Sequence, residues 1–328
     1  MSARPATAAP AAAPRQRPAA RPTAWLERER VLGWVLVLPA VAILAAFIVY
    51  PFCVGLWLSV SDATVVDPGR FVGLRNFLQE ASDGIFRQTV RNTLVYTGVT
   101  VVLKGLLGLG LAILMNQAIR GKNLVRAALL LPWIVPTALS TIAWRWLFDS
   151  TYSIVNWVMV TTGFAQAVAP TAVGQLLGVH ANGINWLGDA TWAMFTIILA
   201  NIWRGTPFFA ISLLAGLQTI GQDMYEAAAI DGATAVQRFR YVTVPLIRPV
   251  LLVVLLFSFI WTISDFQLVY VLTGGGPANS THLFSTLAYQ IAMQAGQLGQ
   301  GAAVSLAMFP FLLVIVAGLL WYLRRQEG

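Results

Sequence analysis

Seven residues in two apolar stretches carry the side chains with the greatest chemical capacity. Asn201, Arg204, Gly205 and Phe208 fall at i, i+3, i+4 and i+7, one face of a helix. Ser258, Thr262 and Asp265 fall at i, i+4 and i+7, again one face. An amide, two hydroxyls, a carboxylate and a guanidinium can take the hydroxyls of a polar solute, while an aromatic ring offers a flat apolar wall. The same polar groups can instead bond neighbouring helices to one another. Arg204 and Asp265 can also neutralise each other, the cheaper arrangement in an apolar medium; a free Arg204 would suit an anionic solute such as a sugar phosphate. Lys104, in the middle of another apolar run, calls for a carboxylate partner or a polar pathway.

A second constellation lies between those two stretches. Thr219–Gln222 and Thr234–Gln237 both fit the Ser/Thr-x-x-Gln pattern that opens a helix. Asp231-Gly232 between them supplies a stop, because glycine tolerates the left-handed conformation that ends helices. Residues 220–246 therefore read as helix, turn, helix, with the second helix ending near Pro245 and Pro249. Helix connections usually need only about 2–8 residues, so this segment is an ordered unit in its own right. Met224, Tyr225 and Ala227–Ala229 give its first helix a smooth apolar side, flanked by Glu226 and Asp231. That acidic margin favours a protein partner over anionic headgroups.

The elements that position these residues follow from composition. Of 328 residues, 58% are hydrophobic and 10% charged, against about a quarter charged in soluble chains, so the bilayer is the natural solvent. The expectation is an all-α membrane protein, because each apolar run far exceeds the ~10 alternating residues of a barrel strand. Six runs approach or exceed the ~20 residues that cross a bilayer as helix: about 31–60, 92–118, 124–147, 191–219, 247–272 and 302–323. Residues 1–24, rich in Ala, Pro and Arg, read as a disordered tail rather than a cleaved leader. With a cytoplasmic N-terminus, fourteen lysines and arginines fall inside and five (Arg70, Arg75, Arg87, Arg91 and Arg145) outside. Both termini are thus expected in the cytoplasm. That placement also accounts for the net charge of +8 without nucleic acid.

Other chemistry finds no support. The single cysteine, Cys53, His180 and His282 have no metal-ligand spacing. Gly274–Gly276 is followed by Pro277 rather than Lys-Ser/Thr, and Gly121-Lys122 lacks the upstream glycine and the hydroxyl residue of a phosphate loop, so no nucleotide site is expected in this chain. A nucleophile elbow and a zinc-protease helix are also missing, which argues against an enzyme. An ion-coupled secondary transporter is the alternative transport reading, but Asp265 is nearly the only intramembrane acid.

Glu226-Ala-Ala-x-x-x-Gly232, nine residues and then Val242-x-Val244-Pro245 resembles the EAA loop of ABC-importer permeases, with Gly221 where proline is usual. Trp203-Arg-Gly-Thr-Pro-Phe208 and Leu272-Thr-Gly-Gly-Gly-Pro277 resemble the carbohydrate branch, of MalF/UgpA type, over roughly residues 31–323. The resemblance implies a type I importer permease with six spans and Glu226, Ala227, Ala228, Asp231, Gly232 and Pro245 as the surface that couples to a separate ATPase dimer. That ATPase would bind ATP and magnesium, leaving this chain without a cofactor. It also implies a second permease of MalG/UgpE type, an external solute-binding protein and a bacterial inner-membrane location. Asn201, Gly205, Phe208, Ser258, Thr262 and Asp265 occupy the places where the maltose-type permease contacts its sugar.

Overall fold

A computed structural model describes residues 29–117 and 121–327; the tail expected over 1–24 lies outside them. The described residues form helices and turns, with only isolated bridges between Ser61 and Phe71 and between His180 and Gly183. Among the described residues five helices are long and apolar enough to cross a membrane, or six when a bent pair is taken as one span. The chain divides into two compact units within the first span, after Val54.

The first unit holds α1 (Glu29–Leu44), a π turn (Ala45–Val49) and the start of α2 (Tyr50–Ser59). The π turn sits directly ahead of Pro51. A proline ring crowds the carbonyl four residues back, here Phe47, and offers no N–H to it, so a widened turn relieves both defects. The same device recurs in the second unit.

That unit begins with the end of α2 and a short helix, α3 (Arg75–Ser82). The Asn76 amide donates to the Ser59 and Ser61 carbonyls at 2.9 and 2.7 Å, which stitches α3 to the end of the first span. Glu80, buried in α3, has its pKa raised to about 7, first by burial and then by Asp83. A raised carboxyl pKa means that folding favours the protonated form, so its stabilising contribution is full below about pH 4.5 and is lost as pH rises through 7. Glu80→Gln should therefore raise the thermal midpoint at pH 8 and leave it unchanged at pH 4.5. Equal midpoints at pH 8 would refute this.

The bundle is built on α4 (Gly84–Asn116) and α10 (Ala190–Gln218), which pack together more extensively than any other pair. Each starts on an aspartate N-cap: Asp83 accepts from Ile85 and Phe86, and Asp189 from Thr191 and Trp192. Between them run α5 (Lys122–Ile134), α6 (Thr137–Leu147), α7 (Ile154–Thr161), α8 (Phe164–Val168) and α9 (Ala172–Leu176). The predicted span 124–147 is not straight: α5 and α6 meet at 91° across Val135-Pro136. Pro136 removes an N–H and forces Val135 to extended backbone, ψ 129°. Residues 148–187 fold over an aromatic cluster in which Phe148, Trp186 and Trp192 meet edge to face.

After α10 come α11 (Gln222–Ile230), α12 (Ala235–Arg238), a π turn (Phe239–Thr243) and α13 (Val244–Ile263). The second loop helix does not end near Pro245. It continues through the π turn into the fifth span as one helix, Ala235–Ile263. Here the widened turn lies ahead of Pro245 and relieves the carbonyl of Tyr241, so the proline is absorbed rather than terminating the helix. The predicted span 247–272 is broken in turn: α13 stops at Ile263 and α14 (Gln267–Leu272) follows a gap that contains Asp265. The chain closes with α15 (Phe284–Tyr289), a third π turn (Gln290–Gln294), α16 (Leu298–Ala307) and α17 (Phe309–Glu327).

Candidate functional site

The polar residues of the fourth and fifth spans meet in one buried network. Lys104 Nζ donates to Asn201 Oδ1 at 2.9 Å and to Thr262 Oγ1 at 2.8 Å. The Asn201 amide donates to Asp265 Oδ2 at 2.8 Å and to the Tyr96 hydroxyl at 2.6 Å. The Tyr96 hydroxyl donates to the same Asp265 oxygen at 2.9 Å, and Arg204 Nη2 reaches that oxygen at 2.8 Å. Asp265 Oδ2 thus accepts three donors, the number that makes a buried carboxylate tolerable.

Of the sequence-identified residues, Asn201, Arg204, Thr262 and Asp265 are joined directly. Gly205 is joined sterically: a Cβ there would lie 2.5 Å from Lys104 Cδ, so the missing side chain is what lets the lysine pass to Asn201. Ser258 is buried one turn from Thr262 on the same face of α13. Phe208 lies to one side, partly buried, with its ring centroid 5.1 Å from Trp261 and 6.4 Å from Trp133. Trp133 and Trp261 are about half exposed, at 54% and 52%, so the aromatic wall is a three-ring shelf beside the polar network.

Sequence reading missed Tyr96 and Thr137 and left Lys104 without a partner. A signal was present for two of them. Tyr96, Thr100 and Lys104 recur every four residues, one face of α4, inside an otherwise apolar run. Thr137, whose Oγ1 accepts from Arg204 Nη1 at 3.3 Å, is brought in only by the bend after α5.

At the other end of α10 the two loop helices are capped as follows. Gly232 has φ +77°, and the Gly232 and Ala233 amides return to the Ala229 and Ala228 carbonyls at 3.1 and 2.9 Å, the two bonds of a Schellman stop. Thr234 and Gln237 form the expected capping box. Thr219 does not open α11: its hydroxyl donates back to Gly216 at 2.8 Å and closes α10, and Gly221 takes the N-cap position. Tyr225 turns inward to Thr243, 3.0 Å between hydroxyls, and fastens α11 to the π turn. Glu226, Ala227, Asp231 and Gly232 remain exposed, beside Met224 and Ile230. Pro245 is exposed at the start of α13.

The turn between α14 and α15 is equally determined. Thr281 Oγ1 donates to the Gly276 carbonyl at 2.6 Å, and the Asn92 amide holds the Ser280 and His282 carbonyls at 2.8 and 3.2 Å. His282 is buried, which pushes its pKa down, and its ring packs where a Cβ on Gly275 would sit. Among the described residues no cluster of metal-ligating side chains occurs. Trp144 stacks on Phe148 and meets Trp203 edge to face.

Comparison with known proteins places this geometry in a family. Residues 104–327 match the family described as binding-protein-dependent transport system inner membrane component. The trehalose/maltose transport system permease protein MalF of Thermococcus litoralis is 38% identical over 287 residues, 87% of this chain and 91% of that one. The sulfoquinovosyl glycerol transport system permease protein SmoG of Agrobacterium fabrum is 33% identical over 93% of this chain and 94% of its own. The sn-glycerol-3-phosphate transport system permease protein UgpA of Yersinia pestis is 32% identical over 88% and 91%. The fold matches a chain of a bacterial ABC transporter involved in the import of the acidic polysaccharide alginate, with TM-score 0.76 at 21% identity over 92% of this chain and 97% of that one. This chain belongs to the inner-membrane permease components of binding-protein-dependent ABC import systems.

Proposed function

We propose that the chain conducts a sugar, polyol or sugar-phosphate solute across a bacterial inner membrane, with both termini cytoplasmic, as one of two permease subunits. The solute pathway runs past Asn201, Arg204, Gly205, Phe208, Ser258, Thr262 and Asp265. Hydroxyl-seeking groups stand beside a shelf of aromatic rings, the pairing that suits a ligand with polar edges and an apolar face. Three permeases similar in sequence are named for trehalose/maltose, sulfoquinovosyl glycerol and sn-glycerol-3-phosphate, which supports that solute class.

The drive comes from a separate ATPase dimer that alone binds ATP and magnesium; an external binding protein delivers the solute. The observation that carries this reading is the rigid, exposed helix–Schellman–helix unit at residues 222–238. Its second helix is continuous with α13, and α13 carries Ser258 and Thr262. A force applied at Glu226, Ala227, Ala228, Asp231, Gly232 and Pro245 is therefore transmitted along one rigid rod to the pathway.

Glu226→Lys tests this in proteoliposomes of the complete transporter supplied with radiolabelled trehalose, maltose or sn-glycerol 3-phosphate. The exposed site leaves folding intact, while a reversed charge at a docking surface costs several kcal/mol. ATP-driven uptake should fall by about tenfold or more, with unchanged membrane insertion and reduced ATPase association. Uptake at the wild-type rate would sink the coupling assignment.

A further inference from the structure

Two spans of the bundle are broken, and both breaks touch one side chain. The first break is the 91° bend at Val135-Pro136, and Thr137 is the first helical residue beyond it. The second lies between Ile263 and Gln267 and contains Asp265. Arg204, on the unbroken α10, donates from Nη1 to Thr137 at 3.3 Å and from Nη2 to Asp265 at 2.8 Å. Beyond the breaks, α6 and α14 pack against each other. Asp265 also accepts from the Leu268 amide at 3.4 Å, the start of α14, and its carbonyl takes the Ser285 hydroxyl at 2.9 Å.

We propose that α6 and α14 form one gate segment, hinged at these two breaks, and that Arg204 is the positioning residue that pins both hinges to α10. Helix breaks are where a span absorbs backbone rotation. The packing of α6 on α14 ties the two segments to each other but not to α10, so both breaks would still be free to flex. A guanidinium with two arms at a fixed angle removes that freedom, because it can hold Thr137 and Asp265 only in one mutual placement. Releasing Asp265 would leave the buried Lys104 and the partly buried Arg204 facing neutral oxygens only, so the pin opens when another group competes for the pair and not by chance. Opening one hinge then frees the other. The inference rests on the pathway reading for its role in transport, but its test needs no solute.

The test is spin-label distance measurement on the complete transporter in lipid nanodiscs, with Cys53→Ser removing the native thiol. One label pair, at Leu131 and Leu139, straddles the first break; a second, at Phe257 and Tyr270, straddles the second. In the parent both pairs should give narrow distributions. Asp265→Asn alters only the second break, yet should broaden both pairs by several ångströms. An unchanged first pair in that variant overturns the proposal. Should Asp265→Asn fail to assemble, Arg204→Lys decides: a single ammonium can keep Asp265 but cannot also reach Thr137. Broadening of the first pair, with or without the second, supports the pin, and a first pair as narrow as in the parent overturns it. Normal distances with abolished uptake in Asn201→Ala would bear on the solute pathway alone, so the two readings fail separately.

Discussion

Asp265→Ala is expected to destabilise the folded chain by about 3–5 kcal/mol, the cost of breaking a buried pair so that its partner charge stays behind. Asp265 Oδ2 is the acceptor for Tyr96, Asn201 and Arg204. Truncation strands three donors and leaves Lys104 and Arg204 without an anion. Lys104→Met should behave differently, though the lysine is as deeply buried. It removes a cation whose two partners are neutral, Asn201 Oδ1 and the Thr262 hydroxyl. Its cost is that of unsatisfied neutral acceptors, about 1–2 kcal/mol, and it relieves the network of one positive charge. Unfolding of purified protein, titrated with dodecyl sulfate in mixed micelles, measures both. If Asp265→Ala proves no worse than Lys104→Met, the carboxylate is not what balances this network.

The same contrast explains what was legible in the sequence. Helical periodicity put Asn201 and Arg204 on one face of α10, and hydrophobicity placed Asp265 within a span, so their convergence could be read from spacing and antiparallel neighbours alone. The loop was legible because caps are local: Gly232 and the Thr234–Gln237 box are decided by residues within a few positions of each other. The breaks were not. A proline at 136 ends α5, whereas prolines at 207, 245 and 249 lie inside continuous helices. The difference lies in whether a neighbouring turn widens or a tertiary contact holds the helix straight, and neither is written in the residues flanking the proline. Thr219 failed for a related reason. Its hydroxyl had two carbonyl or amide partners within reach, one to close α10 and one to open α11, and the closing bond at Gly216 won.

Arg204 shows how function draws on both levels. Its face is fixed by α10's own periodicity, but its second partner, Thr137, arrives only because α5 and α6 bend. The network therefore reports the tertiary arrangement of four segments, α4, α6, α10 and the α13–α14 break, while each segment contributes one or two polar atoms. In an apolar solvent such a network specifies placement more than it adds stability, since interhelical hydrogen bonds in membranes average about 0.6 kcal/mol.

Gly108→Leu should force α4 and α10 apart, and Gly110→Leu, two residues on, should have the opposite sign. A Cβ on Gly108 would overlap the Phe209 Cβ and stand 3.1 Å from the Ala210 amide nitrogen and 3.2 Å from the Phe209 carbonyl carbon. Two of those three atoms are backbone, so no rotamer change clears the space, and α4 and α10 must separate. Overpacking that side chains can absorb costs about 1–3 kcal/mol; here the cost exceeds that range because the helix pair itself is displaced. Gly105 and Ala112 extend the same buried stripe of small residues on α4, the kind of contact on which helix pairs in lipid depend. Lys104 and Gly205 lie one turn along the same contact, so separation also lengthens the 2.9 Å bond to Asn201. The variant should lose both monodisperse protein after detergent extraction and solute uptake. At Gly110 an added Cβ meets nothing within 4 Å. Replacing an open-face glycine by leucine recovers backbone entropy and helix propensity, up to about 1 kcal/mol. Its thermal midpoint should equal or exceed that of the parent. Matching losses at 108 and 110 would show that the α4–α10 contact does not control assembly of the bundle.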